Sequence, residues 1–75
     1  MKKPQIQYSM LIEWSEEDKA YLVILPEWAP QVIMPVTHGD TYIEAVKNGQ
    51  EVLELLINDA VKCGETLPQP KIHAA

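Results

Sequence analysis

Apolar side chains recur at every second position from Gln5 to Trp14. Ile6, Tyr8, Met10, Ile12 and Trp14 share one side, Gln7, Ser9 and Glu13 the other, and Leu11 is the exception. A period of two marks a strand with one buried face, because successive side chains leave a pleated backbone on opposite sides. By this pattern Trp14 belongs to the core. Ser15 to Lys19 is polar and turn-like, and Ala20 to Leu25 (AYLVIL) then reads as a second strand. Its nearly continuous apolar character predicts a central position. Five polar residues between two strand patterns predict an antiparallel hairpin. Pro26 ends the second strand because it has no N–H for the ladder. Pro26 to Pro30 (PEWAP) forms a turn or short loop, and Gln31 to Thr37 (QVIMPVT) is a third strand by composition. Pro35 inside that run assigns it to an edge or a bulge.

From Thr41 the period changes. Tyr42, Ala45, Val46, Leu53, Leu56, Ile57, Ala60 and Val61 form an apolar stripe at helical spacing, with Glu44, Lys47, Glu51, Glu54, Asp59 and Lys62 opposite or beside it. Thr41 and Glu44 have capping-box spacing, in which the Thr oxygen accepts from the N3 amide and the Glu reaches back to the cap amide. Asp40 adds negative charge near the positive helix end. Asp40, Thr41 and Glu44 are thereby accounted for as a helix cap without any ligand, and Gly39 gives the backbone freedom where the helix begins. The helix runs to about Cys63, where Gly64 is a natural stop. Gly49 lies on the apolar stripe at a cost of ~1 kcal/mol relative to alanine, which predicts close approach of helix to sheet. Leu55 shares the face of Glu44 and Glu51 and is a candidate contact. At ~1.5 Å per residue the helix is roughly 34 Å long, matching a ten-residue strand. One helix can therefore cover one face of a three-stranded antiparallel sheet, an α+β fold in the order β-β-β-α. The tail from Glu65 to Ala75 is extended by Pro68 and Pro70, and Lys71-Ile72-His73 could add a short last strand or stay loose.

Length and charge narrow the function. Seventy-five residues make one small domain. Such a domain buries only roughly 60–65% of its unfolded surface, and a core of this size supplies ~3–5 kcal/mol. Cys63 is the single cysteine and has no internal disulfide partner; with His38 and His73 it forms no zinc spacing. Homo-oligomerisation, as a dimer or higher, is the support that remains. One cysteine, no signal peptide and no run of ~18–20 apolar residues predict a cytoplasmic protein without a membrane span. Six lysines, no arginine and 11 carboxylates give a net charge of −5. That balance disfavours direct nucleic-acid binding and suits a basic protein partner.

No catalytic constellation is legible. A phosphate loop needs several glycines and a lysine beside the Ser/Thr, and Gly39-Asp40-Thr41 offers neither. His38 has no nucleophile and orienting carboxylate to work with. Two-metal chemistry needs carboxylates converging from strands and a helix, whereas Glu13 is the only strand carboxylate and Glu16, Glu17 and Asp18 make a solvated hairpin tip. Cys63 lies at the negative end of the helix dipole, which does not lower a thiol pKa. No cofactor or metal site is expected. Trp28, beside Glu27 in the PEWAP loop, is either packed against the sheet edge or offered to a partner.

The order of these features resembles the HicB-like antitoxin family. The matching pieces are Tyr21 through Leu25 leading into Pro26-Glu27, the GDT-xx-EA of Gly39 to Ala45, and the closing Gly64-Glu65-Thr66-Leu67-Pro68-Gln69-Pro70. The likeness covers nearly all of residues 1–75. It implies a partial RNase H-like fold without the nuclease carboxylates, and a non-catalytic, self-associating antitoxin whose partner is a HicA-like toxin, a small basic RNA-cleaving protein. The segment Trp28 to Val36 is longer than the family's compact loop and lacks its Gly-Cys pair. The sequence stops at Ala75, so the resemblance is to a short form without the C-terminal DNA-binding domain, and operator binding is not implied. Glu27, Trp28 and Leu55 are the candidate partner-binding residues. The competing reading is a standalone oligomeric structural or regulatory protein with no toxin.

Overall fold

The computed structural model describes residues 7–72. Strand β1 (Leu11–Ser15) pairs antiparallel with β2 (Ala20–Ile24), with Leu11 opposite Ile24 and Ser15 opposite Ala20. β2 pairs antiparallel with β3 (Thr37–Gly39), with Val23 opposite Thr37 and Tyr21 opposite Gly39. The sheet order is β1-β2-β3, so the apolar second strand is central, and helix α1 (Tyr42–Cys63) packs on one face. The fold is α+β, a three-stranded antiparallel sheet carrying one long helix.

The hairpin turn is held by its own side chains. The Ser15 hydroxyl donates to the Asp18 carboxylate at 3.0 Å and accepts the Asp18 N–H at 3.1 Å. Lys19 closes the turn at φ 54°, a left-handed conformation uncommon for a residue with a Cβ. Beyond β2, Pro26–Trp28 forms one 3₁₀ turn, with the Trp28 N–H on the Leu25 carbonyl at 2.9 Å.

Helix α1 starts and stops as its sequence predicts. Thr41 Oγ1 accepts the Glu44 N–H at 3.1 Å, and Gly64 ends the helix at φ 70° with its N–H on the last carbonyls. The return contact of the cap falls one residue earlier than expected: the Glu44 carboxylate accepts the Asp40 N–H, at 2.6 Å, in place of the Thr41 N–H. Gly39 has no positive φ. Its need is space, since a Cβ there would lie 2.4 Å from the Ala45 nitrogen. At Gly49 a Cβ would lie 2.9 Å from the end of Met10 and 3.0 Å from Val23, which is the predicted close approach of helix to sheet.

The core consists of Val23, Leu25, Trp28, Ala45, Leu53 and Ala60, with Tyr8, Met10 and Ile12 packed against it from the first strand segment. The helix leans toward β3, where Gly39 receives Ala45 and Asn48 donates to the His38 carbonyl at 2.7 Å. This rotation brings Val52 against the core and leaves Tyr42, Val46 and Val61 of the predicted stripe exposed.

Several expectations about the strands are corrected. The first strand begins at Leu11, not near Gln5, and residues 5 and 6 lie outside the described residues. Leu11 breaks the alternation because it faces away from the helix, opposite Ile24. The third strand is three residues long and follows Pro35, whose peptide bond with Met34 is cis. Residues 31–35 form loop, and only the Val36 N–H on the Val23 carbonyl extends the pairing backward. Of the two alternatives for the tail, Lys71 and Ile72 take the one without a strand, and the Lys71 N–H donates to the Glu27 side chain; His73 lies outside the described residues.

Candidate functional site

The topology gathers charge at one end of the molecule. The β1–β2 turn places Glu16, Glu17 and Asp18 at one end of the sheet. The pairing of Tyr21 with Gly39 brings the close of β3, and then the first turn of α1, to that same end. With Asp40 and Glu44 at the helix start, five of the 11 carboxylates collect there, accompanied by Lys19 and Lys47.

Three aromatic rings lie within this acidic end. Tyr21 projects from the central strand onto the helix face of the sheet. The Trp14 ring meets it edge-on with centroids 5.0 Å apart, and the Tyr42 ring lies tilted against it at 4.4 Å. Trp14 is 49% exposed and Tyr42 62% exposed. The expected core position of Trp14 is therefore corrected. Its side chain points to the helix side, as period two requires, but it reaches past the start of α1, where no further turn of helix covers it. The Trp14 indole N–H donates to Glu16 Oε1 at 2.9 Å, and Lys19 bonds the other oxygen of the same carboxylate. The Lys19 and Trp14 hydrogen bonds hold the Glu16 carboxyl below its usual range.

The loop residues chosen from the sequence as partner contacts lie elsewhere. Trp28 is 2% exposed, and Tyr8 packs edge-on against it at 5.5 Å. Glu27 is also buried, and its carboxylate accepts the Ser9 N–H at 3.1 Å, the Ser9 hydroxyl at 2.9 Å and the Lys71 N–H at 2.9 Å. Burial raises the Glu27 pKa, but the donors from Lys71, Ser9 and its own backbone outweigh it, and the group stays below the usual carboxylate range. Burial, and then the charge of Glu27, raises the Tyr8 phenol, which donates to the Pro68 carbonyl at 2.7 Å. Glu27 thus fastens the two ends of the described chain together, Trp28 packs against Tyr8, and both side chains are buried. Leu55 is exposed on the outer side of α1 beside Asn58 and Asp59, far along the helix from the acidic end.

Sequence reasoning missed Tyr42 and Trp14 as surface groups. The available signal was the position of Tyr42 as the first helical residue, where a stripe residue can overhang the sheet. Among the described residues, no three His, Cys, Asp or Glu side chains gather as a metal-binding group, and no helix is long and apolar enough to cross a membrane. No family model, curated protein or solved structure matches the chain.

Proposed function

We propose that this chain is a non-catalytic protein-interaction module of the antitoxin type, which covers the surface of a small basic RNA-cleaving toxin. The observation that carries this reading is the collection of five carboxylates at one end of the molecule beside exposed aromatic surface. Clustered charge of one sign steers a partner of the other sign and sets its orientation. Exposed Trp and Tyr provide the apolar area on which interface affinity depends. The likeness of the Gly39-to-Ala45 and Gly64-to-Pro70 segments to HicB-like antitoxins supports the same reading. Self-association is part of the proposal, supported by the edge of β1 that pairs with no other described strand and by apolar Leu11 on the open sheet face.

The test is affinity capture with the tagged full chain at low salt, followed by elution in rising salt. The expected product is a small basic protein whose RNA cleavage stops when the chain is added back in equal amount. Recovery of nothing but further copies of the chain would overturn the toxin-binding reading and favour a standalone oligomer.

A further inference from the structure

The aromatic cluster at the acidic end has a more specific chemistry than charge alone. We infer that Trp14, Tyr21 and Tyr42 form a seat for an arginine side chain of a basic protein partner, with the Glu16 carboxylate at its rim. The inference rests on the protein-binding reading above and assigns that reading its contact residues.

Tyr21 is held between the other two rings, at 5.0 Å from Trp14 and 4.4 Å from Tyr42, so the cluster is fixed before any partner arrives. Its two outer members keep about half or more of their surface in water. The face of an aromatic ring attracts a cation, and tryptophan does so most strongly. Guanidinium is the favoured cation because its flat, weakly hydrated group also stacks on the ring. The rim carries a carboxylate that already holds a cation: Glu16 binds Lys19 from within the chain while accepting the Trp14 N–H. That pair is exposed at both ends, and such pairs are weak. An arginine of the partner, able to form two parallel hydrogen bonds to one carboxylate, can replace the single contact of Lys19. Glu17, Asp18 and Asp40, all exposed, supply the surrounding negative field without occupying the rings. The partner contact is therefore placed on the hairpin and the first turn of α1, away from the PEWAP loop.

The test titrates the full-length chain with three capped peptides of alternating glycine and arginine, glycine and lysine, or glycine and citrulline. Binding is followed by NMR of the Trp14 indole N–H and of the peptide side-chain protons. The arginine peptide is expected to bind most tightly, with its δ protons shifted upfield by the rings, and the uncharged citrulline peptide least. Trp14→Leu and Tyr42→Leu are each expected to weaken the arginine peptide roughly two- to fivefold. Both positions are exposed, and a thermal melt of each variant verifies that it folds. Equal binding of the arginine and lysine peptides, or unchanged affinity in both ring variants, overturns the seat. If a toxin is captured and Trp14→Leu and Tyr42→Leu hold it as tightly as the unaltered chain, the seat fails while the antitoxin reading stands. If the arginine peptide binds as described but no basic protein is captured, the antitoxin reading fails and the seat stands.

Discussion

The Glu27 carboxylate accepts the backbone N–H of Lys71 at 2.9 Å, across 44 positions of sequence. The same carboxylate takes the N–H and hydroxyl of Ser9, so one buried side chain ties the segment before β1 to the segment after α1. The Tyr8 hydroxyl on the Pro68 carbonyl adds a second tie between the same two segments. None of these contacts lies within a strand ladder or a helix, and together they close a domain whose sheet has three strands among the described residues.

Replacing Glu27 by Gln puts an amide NH2 where an oxygen now meets N–H donors. The expected loss is about 2 kcal/mol, because the remaining oxygen accepts without the charge that strengthens these bonds and the NH2 faces the Ser9 N–H. Urea unfolding of the full chain measures it. The acid limb gives an independent check. Because the folded group titrates below its ordinary value of 4.5, its contribution is complete above that pH and is lost as the pH falls through the lower folded value. The unaltered chain should therefore lose stability more steeply below pH 4.5 than Glu27→Gln does; parallel curves would remove Glu27 from this role.

Gly39 and Gly49 differ in what an added methyl would strike. At Gly39 the obstacle is the Ala45 backbone at 2.4 Å, which can yield only if the helix moves off β3. Gly39→Ala is expected to cost about 3 kcal/mol. At Gly49 the obstacle is mainly the flexible end of Met10 at 2.9 Å, and the helix gains ~1 kcal/mol from alanine over glycine. Gly49→Ala should therefore lie within about 1 kcal/mol of the parent. Thermal melts of the two variants would show the contrast, and equal melting temperatures would refute it.

The two tryptophans should behave oppositely. Trp28 fills the core, so Trp28→Ala is expected to cost about 3–5 kcal/mol. Its indole N–H is buried without a hydrogen-bond partner among the described residues, so Trp28→Phe, which removes that donor, should cost much less than alanine. Trp14→Leu should change stability by less than about 1 kcal/mol, since half of the ring is already in water. Acrylamide quenching distinguishes them directly: the Trp28→Phe chain should be readily quenched, and the Trp14→Leu chain should resist.

Thr41 caps α1 through one hydrogen bond, from the Glu44 N–H to its hydroxyl. Thr41→Ala should cost about 1 kcal/mol and Thr41→Ser close to nothing. Hydrogen exchange at Glu44 should accelerate in the alanine variant alone; an unchanged rate would show that the cap is dispensable.

The local features of the fold were legible in the residues. Thr41 and Glu44 fix the helix start, Gly64 fixes its end, and the apolar run from Ala20 fixes the central strand. Each is decided by groups within four or five positions of one another, where chain geometry leaves little choice. The candidate site was not legible in the same way. Whether Trp14 and Trp28 are buried depends on where a helix more than 25 positions away in sequence from Trp14 begins, and on how far it leans toward β3. Period two gave Trp14 its face but not its cover. Glu27 reads from the sequence as a candidate partner contact and not as a buried tie, because its donors, Ser9 and Lys71, come from distant segments. Short-range backbone hydrogen bonding and side-chain periodicity thus set the helix with its caps and the central strand, while the two outer strands came out shorter than their patterns. Which aromatic rings stay in water and which carboxylate is buried was settled by long-range packing, because burial depends on residues brought together from distant parts of the chain.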